Sequence, residues 1–392
     1  MKLSIEQVDL GGRRVFLRAD LNAPLEHGAV SDDTRLTAVL PTIRYALDHG
    51  AAVVLASHLG RPKGGPDPKY SLTPVAERLQ ALLERPVPLA PDCVGEDVEG
   101  LARGLKPGQI LLLENLRFHP EEEANDDVFA QRLAALADVY VNDAFAAAHR
   151  AHASIAAITR HLQPAAAGLL MRRELEALGR IVQSPARPLA AVLGGAKVSD
   201  KIALVEHLVA RVDALIVGGG MAFTFLRALG HGVGRSLVEV DRVEMARGIL
   251  EAARRRGVQV VLPVDAVVAG GLDSPSGRAV AVRDIPAEQM GLDIGPLTVE
   301  RFTTVLKTAR TIVWNGPMGV FEKPAFAAGT VALARAVAES PAFSVVGGGD
   351  TVAAVNQAGV TGRIGYISTA GGAFLEFLEG RPLPGVEALT EA

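Results

Sequence analysis

LAAVLGGAKVSDKIALVEHLVARVDALIVGGG, residues Leu189–Gly220, is the stretch whose reading decides the fold. It opens on an apolar run closed by Gly194-Gly195 and ends on a second run closed by Gly218-Gly219-Gly220. Both runs are rich in Val, Ile and Leu and do not alternate, which is how a strand buried on both faces of a parallel sheet reads. Between them a helix is expected over Asp200–Arg211. Ile202, Val205, Leu208 and Val209 fall on one of its faces, and Ser199 stands where an N-cap belongs. Strand, crossover helix and strand make one unit of an α/β sheet.

The same theme recurs on either side. Before it come VFLRADLNAP (Val15–Pro24), AAVVLASHLGRP (Ala51–Pro62), QILLLENLRF (Gln109–Phe118) and DVYVNDAF (Asp138–Phe145). After it come VQVVLPVD (Val258–Asp265), TIVWNGP (Thr311–Pro317), FSVVGGGD (Phe343–Asp350) and RIGYISTAGG (Arg363–Gly372). Ten strands are too many for one comfortable domain, and 392 residues favour two. Met171–Gln183 reads as one charged helix, and Pro185 and Pro188 forbid its continuation. The expected fold is therefore α/β: two doubly wound, Rossmann-like parallel-sheet domains joined by a helix, with a cleft between them. The expected divisions are 1–170, a connecting helix and linker over 171–187, a second domain over 188–376, and a tail over 377–392.

Hydrophobic residues at 49% and charged residues at 21% exclude wholesale disorder. A net charge of −4 gives no basic field for nucleic acid or an anionic membrane. The longest stretch free of Asp, Glu, Lys and Arg, Ala214–Leu226, is too short to span a bilayer. MKLSIEQVDL lacks the apolar segment of a secretory signal, and Cys93 is the only cysteine, so a cytoplasmic location is expected.

In parallel α/β sheets ligands bind beyond the carboxyl ends of the strands. In the first half these positions carry Arg18, Asp20 and Asn22, then His58 and Arg61, then Arg117 and His119, then Asn142, Asp143, His149, Arg150 and His152, with Arg35 just after the first strand. Several guanidinium groups at one sheet edge suit a multiply anionic small molecule, because Arg matches phosphate and carboxylate bidentately. The four histidines match no usual zinc spacing, and the one cysteine lies far off in sequence. In the second half the strand ends carry glycine instead, at 194–195, 218–220, 347–349 and 371–372. Such turns let backbone N–H groups approach phosphate, which favours nucleotide binding, although neither GxGxxG nor a P-loop is present. Lys197 and Lys201 flank the expected helix start and share a face if the helix begins early enough. Asp350 beside such amides makes sense with an intervening Mg²⁺, the alternative being a helix N-cap. Glu322 is placed to accept ribose hydroxyls. An anion-binding half and a nucleotide-binding half point to phosphoryl transfer.

Nine ordered motifs carry a resemblance that spans nearly the whole chain. They are RADLNAPL (Arg18–Leu25), SHLGRPKG (Ser57–Gly64), LLLENLRF (Leu111–Phe118), VNDAFAAAHRAHAS (Val141–Ser154), LGGAKVSDK (Leu193–Lys201), VGGGMAFTFL (Val217–Leu226), WNGPMGVFE (Trp314–Glu322), GGGDT (Gly347–Thr351) and STAGGAFLEFLEG (Ser368–Gly380). With these the chain resembles the phosphoglycerate kinase family. The resemblance implies reversible phosphoryl transfer from 1,3-bisphosphoglycerate to MgADP, giving 3-phosphoglycerate and MgATP. It implies that Asp20, Asn22, Arg35, His58, Arg61, Arg117 and Arg150 hold the phosphoglycerate. Lys197 and Lys201 would contact the phosphates, and Asp350 the metal–nucleotide. Gly195, Ala196, Gly219, Gly220, Gly295, Asn315, Pro317, Glu322, Gly349 and Thr351 would line the nucleotide. Arg35, both lysines and the turn amides at Gly348, Gly371 and Gly372 are the expected catalytic groups. The family also implies a monomer whose tail returns to the N-terminal domain.

Three positions depart from the family pattern. Ala146 and Ala147 replace Gly and Thr after N-D-A-F, and Ala370 replaces a glycine in S-T-G-G-G-A. If position 370 needs a positive φ, alanine there is strained by about 1 kcal/mol and domain closure is slowed. The expected moving parts are Met171–Pro188 and the Ser368–Gly372 turn. Two other readings compete: a non-catalytic phospholigand-binding protein, and a nicotinamide-dependent dehydrogenase, which the missing GxGxxG disfavours. Cys93 is too remote from the motifs to act as a nucleophile.

Overall fold

A computed structural model describes all 392 residues, and each of the ten apolar runs carries a strand. The first part of the chain holds β1 (Arg14–Arg18), a short hairpin of β2 (Leu25–Glu26) and β3 (Ala29–Val30), β4 (Ala52–Ala56), β5 (Ile110–Leu112), β6 (Val139–Asn142) and β7 (Ala165–Ala167). Five of these form a parallel sheet in the order β5-β4-β1-β6-β7. The second part holds β8 (Leu189–Leu193), β9 (Ala214–Val217), β10 (Gln259–Val261), β11 (Asp265–Ala269), β12 (Arg278–Ala281), β13 (Met290–Ile294), β14 (Thr311–Asn315), β15 (Phe343–Gly347) and β16 (Tyr366–Ser368). Six of them form a parallel sheet in the order β10-β9-β8-β14-β15-β16. Every residue of β4, β8 and β14 is buried, which explains why these strands read as continuous apolar runs.

Each order runs outward from its first strand and then reverses. The reversal lies between β1 and β6 in the first sheet and between β8 and β14 in the second. At such a switch point the connections diverge to opposite sides and leave a crevice at the carboxyl ends of the two strands. The topology alone therefore selects Arg18–Asn22 with Asn142–Asp143, and Gly194–Lys197 with Asn315–Pro317.

Two features were not visible in the sequence. β7 is three alanines, residues of low strand propensity with no apolar contrast to mark them. A separate antiparallel sheet, β12-β11-β13, follows β10, with a bulge between Val267 and Val268. The helix after β8 is also shorter than expected: Ser199–Lys201 form a 3₁₀ turn and the α-helix spans Ile202–Val209. Its buried face is Leu204, Val205, Leu208 and Val209, with Ile202 only half-buried.

The chain divides into two compact units, Met1–Glu176 with Pro382–Ala392, and Ala177–Arg381. The boundary falls inside one helix, Leu169–Val182. Within the first unit the tail is stitched to the other end of the chain. Leu3 N donates to Thr390 O at 2.8 Å, Thr390 N to Ala165 O at 2.9 Å, and Ala392 N to Met1 O at 2.7 Å.

Candidate functional site

At the switch point of the first sheet, Arg18 ends β1 and is only 1% exposed. Its guanidinium donates to Ser154 Oγ at 2.8 Å, to Ala19 O, and to His58 Nδ1 at 3.2 Å. Arginine has no acceptor, so Nδ1 of His58 must accept and the ring proton must reside on Nε2. Burial, then the charges of Arg18 and Arg117, hold His58 well below the usual histidine range, so the imidazole is neutral. A neutral ring with a fixed Nε2–H is a donor poised for an anionic ligand.

Behind it lies a buried carboxylate that sequence reasoning missed. Glu122 accepts from Ser154 Oγ at 2.6 Å and from Ser154 N at 2.9 Å, so Ser154 links it to Arg18. Burial raises the Glu122 pKa, and the Arg18 charge opposes that rise. In sequence Glu122 is one of three consecutive glutamates and looks like a solvated run. His152, 3.8 Å from the same carboxylate, is driven down to about 3, mainly by burial.

Around this core the remaining residues are tied to one another. Arg35, second residue of the helix Thr34–Asp48, pairs with Asp20 at 2.7 Å. Asn22 Oδ1 accepts from Gly60 N at 2.9 Å, and Arg117 donates to Gly60 O at 2.8 Å. Arg117 Nε also lies 3.1 Å from Glu123. Arg150 donates to His149 at 3.2 Å, and Arg61 is exposed. Asp143, at the end of β6, is buried and accepts from Met171 N at 3.0 Å near the start of the helix Leu169–Val182. Its burial pushes it up to about 6.

The switch point of the second sheet is built from backbone. Gly219 has φ +66°, and a Cβ there would lie 2.6 Å from Gly195 N and 2.8 Å from Pro317 O. No side chain fits, because three turns converge. Gly195 N donates to Pro317 O at 2.9 Å, Gly194 N to Asn315 O at 3.0 Å, and Met221 N to Gly195 O at 3.0 Å. Gly220 starts the helix Met221–Ala228, and Ala196 is exposed beside it. Gly348, at φ +93°, caps the helix Gly349–Gln357 without a side-chain bond, which leaves its first N–H groups for a ligand. Gly371 and Gly372 open the helix Gly371–Leu378.

Lys201 is half-buried and donates to Gly194 O at 2.7 Å and Asn315 O at 3.1 Å. Burial lowers its pKa to about 8, against the opposing pull of Asp350 and Asp200. Lys197 is exposed and precedes the 3₁₀ turn, so the two lysines do not share a helical face as expected. Ser199 is not an N-cap either. Its N–H and that of Val198 donate to Glu239 Oε2, at 3.0 and 2.6 Å. Glu239, 40 residues away, gave no sequence signal for this role.

Other expected nucleotide residues have structural tasks as well. Asn315 is buried and donates to Gly347 O at 2.7 Å, while Thr351 Oγ1 accepts from Gly316 N at 2.7 Å. Gly295 starts the helix Pro296–Thr308 and is pressed against Asp265, where a Cβ would be 2.3 Å from the carboxylate. Glu322 is exposed. Asp350 is exposed in the first turn of its helix, not at the cap, and makes no hydrogen bond or ion pair. An exposed carboxylate beside an uncapped helix start is a donor of the kind a hard divalent cation takes.

Two expectations need correction. Ala370 has φ −100° and ψ 82°, so no left-handed strain is stored there. Cys93 is not remote: it belongs to a cluster with Asp92 and His119, two residues beyond Arg117. It is nonetheless fully buried and its thiol is pushed up by that burial, which is the opposite of an activated nucleophile.

The family model described as phosphoglycerate kinase matches residues 5–381. The phosphoglycerate kinase of Moorella thermoacetica is 57% identical over 392 residues, covering 100% of this chain and 99% of that protein. That of Koribacter versatilis is 56% identical, covering 99% of each. Among solved structures, phosphoglycerate kinase from Coxiella burnetii superposes with a TM-score of 0.93 at 44% identity, covering 99% of this chain and 98% of that one. The enzyme from Pyrococcus horikoshii OT3 gives 0.86 at 38% identity, with the same coverage. The chain belongs to the phosphoglycerate kinase family.

Proposed function

We propose that the first unit holds 3-phosphoglycerate or 1,3-bisphosphoglycerate and the second holds ADP or ATP, and that the phosphoryl group passes directly between them. The reading rests on one observation: the two switch points carry complementary chemistry, arginine and a neutral histidine in one, lysine and backbone amides in the other. The reaction is the glycolytic transfer of a phosphoryl group to or from a carboxyl group, a kinase activity common to the family.

Asp20, Asn22, His58, Arg61, Arg117 and Arg150 orient the phosphoglycerate, with His58 donating from Nε2. Arg35, Lys197 and Lys201 neutralise charge spread over the transferring oxygens, together with amides at Gly348, Gly371 and Gly372. The nucleotide is lined by Gly195, Ala196, Gly219, Gly220, Gly295, Asn315, Pro317, Glu322, Gly349 and Thr351. Neither a general base nor a covalent intermediate is required, because both the carboxylate and the ADP oxygen are already anionic. Asp350 would hold Mg²⁺ through the nucleotide, the cation screening phosphate charge when bound.

In-line transfer needs reacting atoms about 3–3.5 Å apart. A hinge at Met171–Pro188 and Ser368–Gly372 would bring the ligands together, and small-angle scattering should show full compaction only with both bound. A monomer in the cytoplasm, without nucleic-acid or membrane partners, fits the charge; no helix is long and apolar enough to cross a membrane.

A coupled assay with 3-phosphoglycerate and MgATP tests the reading. Turnover is expected, and its absence in a folded sample that binds both ligands would favour the non-catalytic alternative. Asp350→Ala should weaken MgADP more than metal-free ADP; equal weakening would remove Asp350 from the cation.

A further inference from the structure

The Asp92–Cys93–His119 cluster takes no part in the mechanism above. Each residue offers one ligand atom, and these atoms all lie within 4.8 Å of one another. Oδ1 of Asp92 and Nε2 of His119 are 2.7 Å apart, and Cys93 N donates to the same oxygen at 2.6 Å. Cys93 is fully buried, whereas the Asp92 and His119 side chains are 43% and 25% exposed. A thiol therefore forms the floor, and a carboxylate and an imidazole form a rim open to solvent. The His119 ring is stacked on Phe129, centroids 5.2 Å apart, which fixes its plane.

We propose that Asp92, Cys93 and His119 form a three-ligand site for a borderline divalent cation of the zinc class, with water in the fourth position. Mixed S, N and O donors select zinc or cobalt over magnesium and calcium, so this site is chemically distinct from the one at Asp350. Bond lengths of about 2.0–2.3 Å put tetrahedral ligands about 3.3–3.6 Å apart. The Asp92–His119 pair must open slightly and the thiol must draw in. Residues 91–95 form bends without helix or strand and can follow.

Burial keeps the Cys93 thiol protonated in the cation-free protein. On binding, its proton leaves to solvent as the S–metal bond forms. The proton on Nε2 is given up to solvent and regained at Nδ1, freeing the Nε2 lone pair. No electron transfer is involved. Thiolate and carboxylate together neutralise the dication, and buried Glu122 adds negative potential, since it already acts on this thiol.

The test is titration of the metal-free full-length chain with Co²⁺, read by absorption. One equivalent should give a thiolate-to-cobalt charge-transfer band with intense tetrahedral d–d bands, displaced by Zn²⁺ and untouched by Mg²⁺. Cys93→Ser should abolish the charge-transfer band. His119→Ala and Asp92→Asn should each weaken binding at least ~10-fold, and exposed His27→Ala should leave it unchanged. If Cys93→Ser fails to fold by circular dichroism, the two rim variants decide. No charge-transfer band in the parent chain, or one retained at equal affinity in both rim variants, overturns the site.

Discussion

The two units offer opposite means of receiving an anion. In the first, the positive charge is on side chains that are paired before any ligand arrives: Arg18 with Ser154 and His58, Arg35 with Asp20, Arg117 with Gly60 O. In the second, the converging glycine turns spend most of their amides on one another, the uncapped N–H groups are those opening the helix Gly349–Gln357, and Lys197 and Asp350 stand exposed without ion pairs. A small, rigid phosphoglycerate suits a receptor whose geometry is fixed in advance. Nucleotide phosphates, whose charge changes by one group in each turnover, suit amides of fixed direction with mobile charges around them. Stability and function should thus be entangled in the first unit and separable in the second.

The largest effect should follow from breaking the buried network. Arg18→Ala removes the largest charge opposing the burial of Glu122, leaving only the Ser154 bonds and the weaker pull of Arg117, and should cost about 3–5 kcal/mol of stability. Lys197→Ala should change stability by no more than about 0.5 kcal/mol while still impairing turnover. Urea denaturation of both measures the contrast, and equal midpoints would erase it. Next, Arg35→Ala should lower kcat at least ~10²-fold, as for losing one transition-state donor, with the nucleotide KM unchanged. A near-normal kcat would remove Arg35 from the chemistry.

Smaller effects concern protons. Lys201 titrates at about 8 in the free protein because burial disfavours its charge. A bound phosphate favours that charge and raises the pKa, so binding takes up a proton above pH 8. Nucleotide affinity should therefore fall up to about tenfold per pH unit above 8, and Lys201→Arg should flatten the profile. Calorimetry across pH 7–9.5 in several buffers reads both the affinity and the proton uptake.

Smallest is the effect of one buried carboxylate of the second unit, Asp293. Asp293 accepts only from Gly329 N and Ile294 N, at 2.6 and 2.9 Å, with no arginine to offset burial, and is pushed up to about 7. A raised folded-state pKa means stability present below about pH 4 and lost as pH rises through 7. Asn cannot ionise, so the Tm difference between Asp293→Asn and the parent should move in the variant's favour across that window. A pH-independent difference would show that Asp293 is compensated as Glu122 is.

Legibility followed the same division. The parallel sheets were readable because burial on both faces leaves long apolar runs, and the strand-end arginines because each follows such a run. β7 was not, since Ala165–Ala167 lack any contrast with their surroundings. The antiparallel β11–β13 lay in a glycine-rich stretch that carries no crossover pattern. Glu122, buried behind Ser154, and Glu239, half-buried against the Val198–Ser199 backbone, look like surface charge in sequence, because sequence records the type of a residue and not what it touches. Ser199 looks like a cap in sequence because capping chemistry is local, whereas its partner in the fold is long-range. Cys93 and His119 are 26 positions apart, too far for any spacing rule to join them.

The stitching of the first unit has a consequence for the order in which the molecule is made. A ribosome releases Met1–Glu176 long before Pro382–Ala392, with the whole of the second unit in between. The first unit must therefore wait, with one seam open, until Pro382–Ala392 emerge, while the second can finish within an unbroken run of chain. Since Ala392 N and Met1 O are only 2.7 Å apart, a short peptide could splice the ends, with new ends cut between Arg381 and Pro382. In that rearranged gene the first unit would be translated without interruption, and its nascent form would close before the second begins.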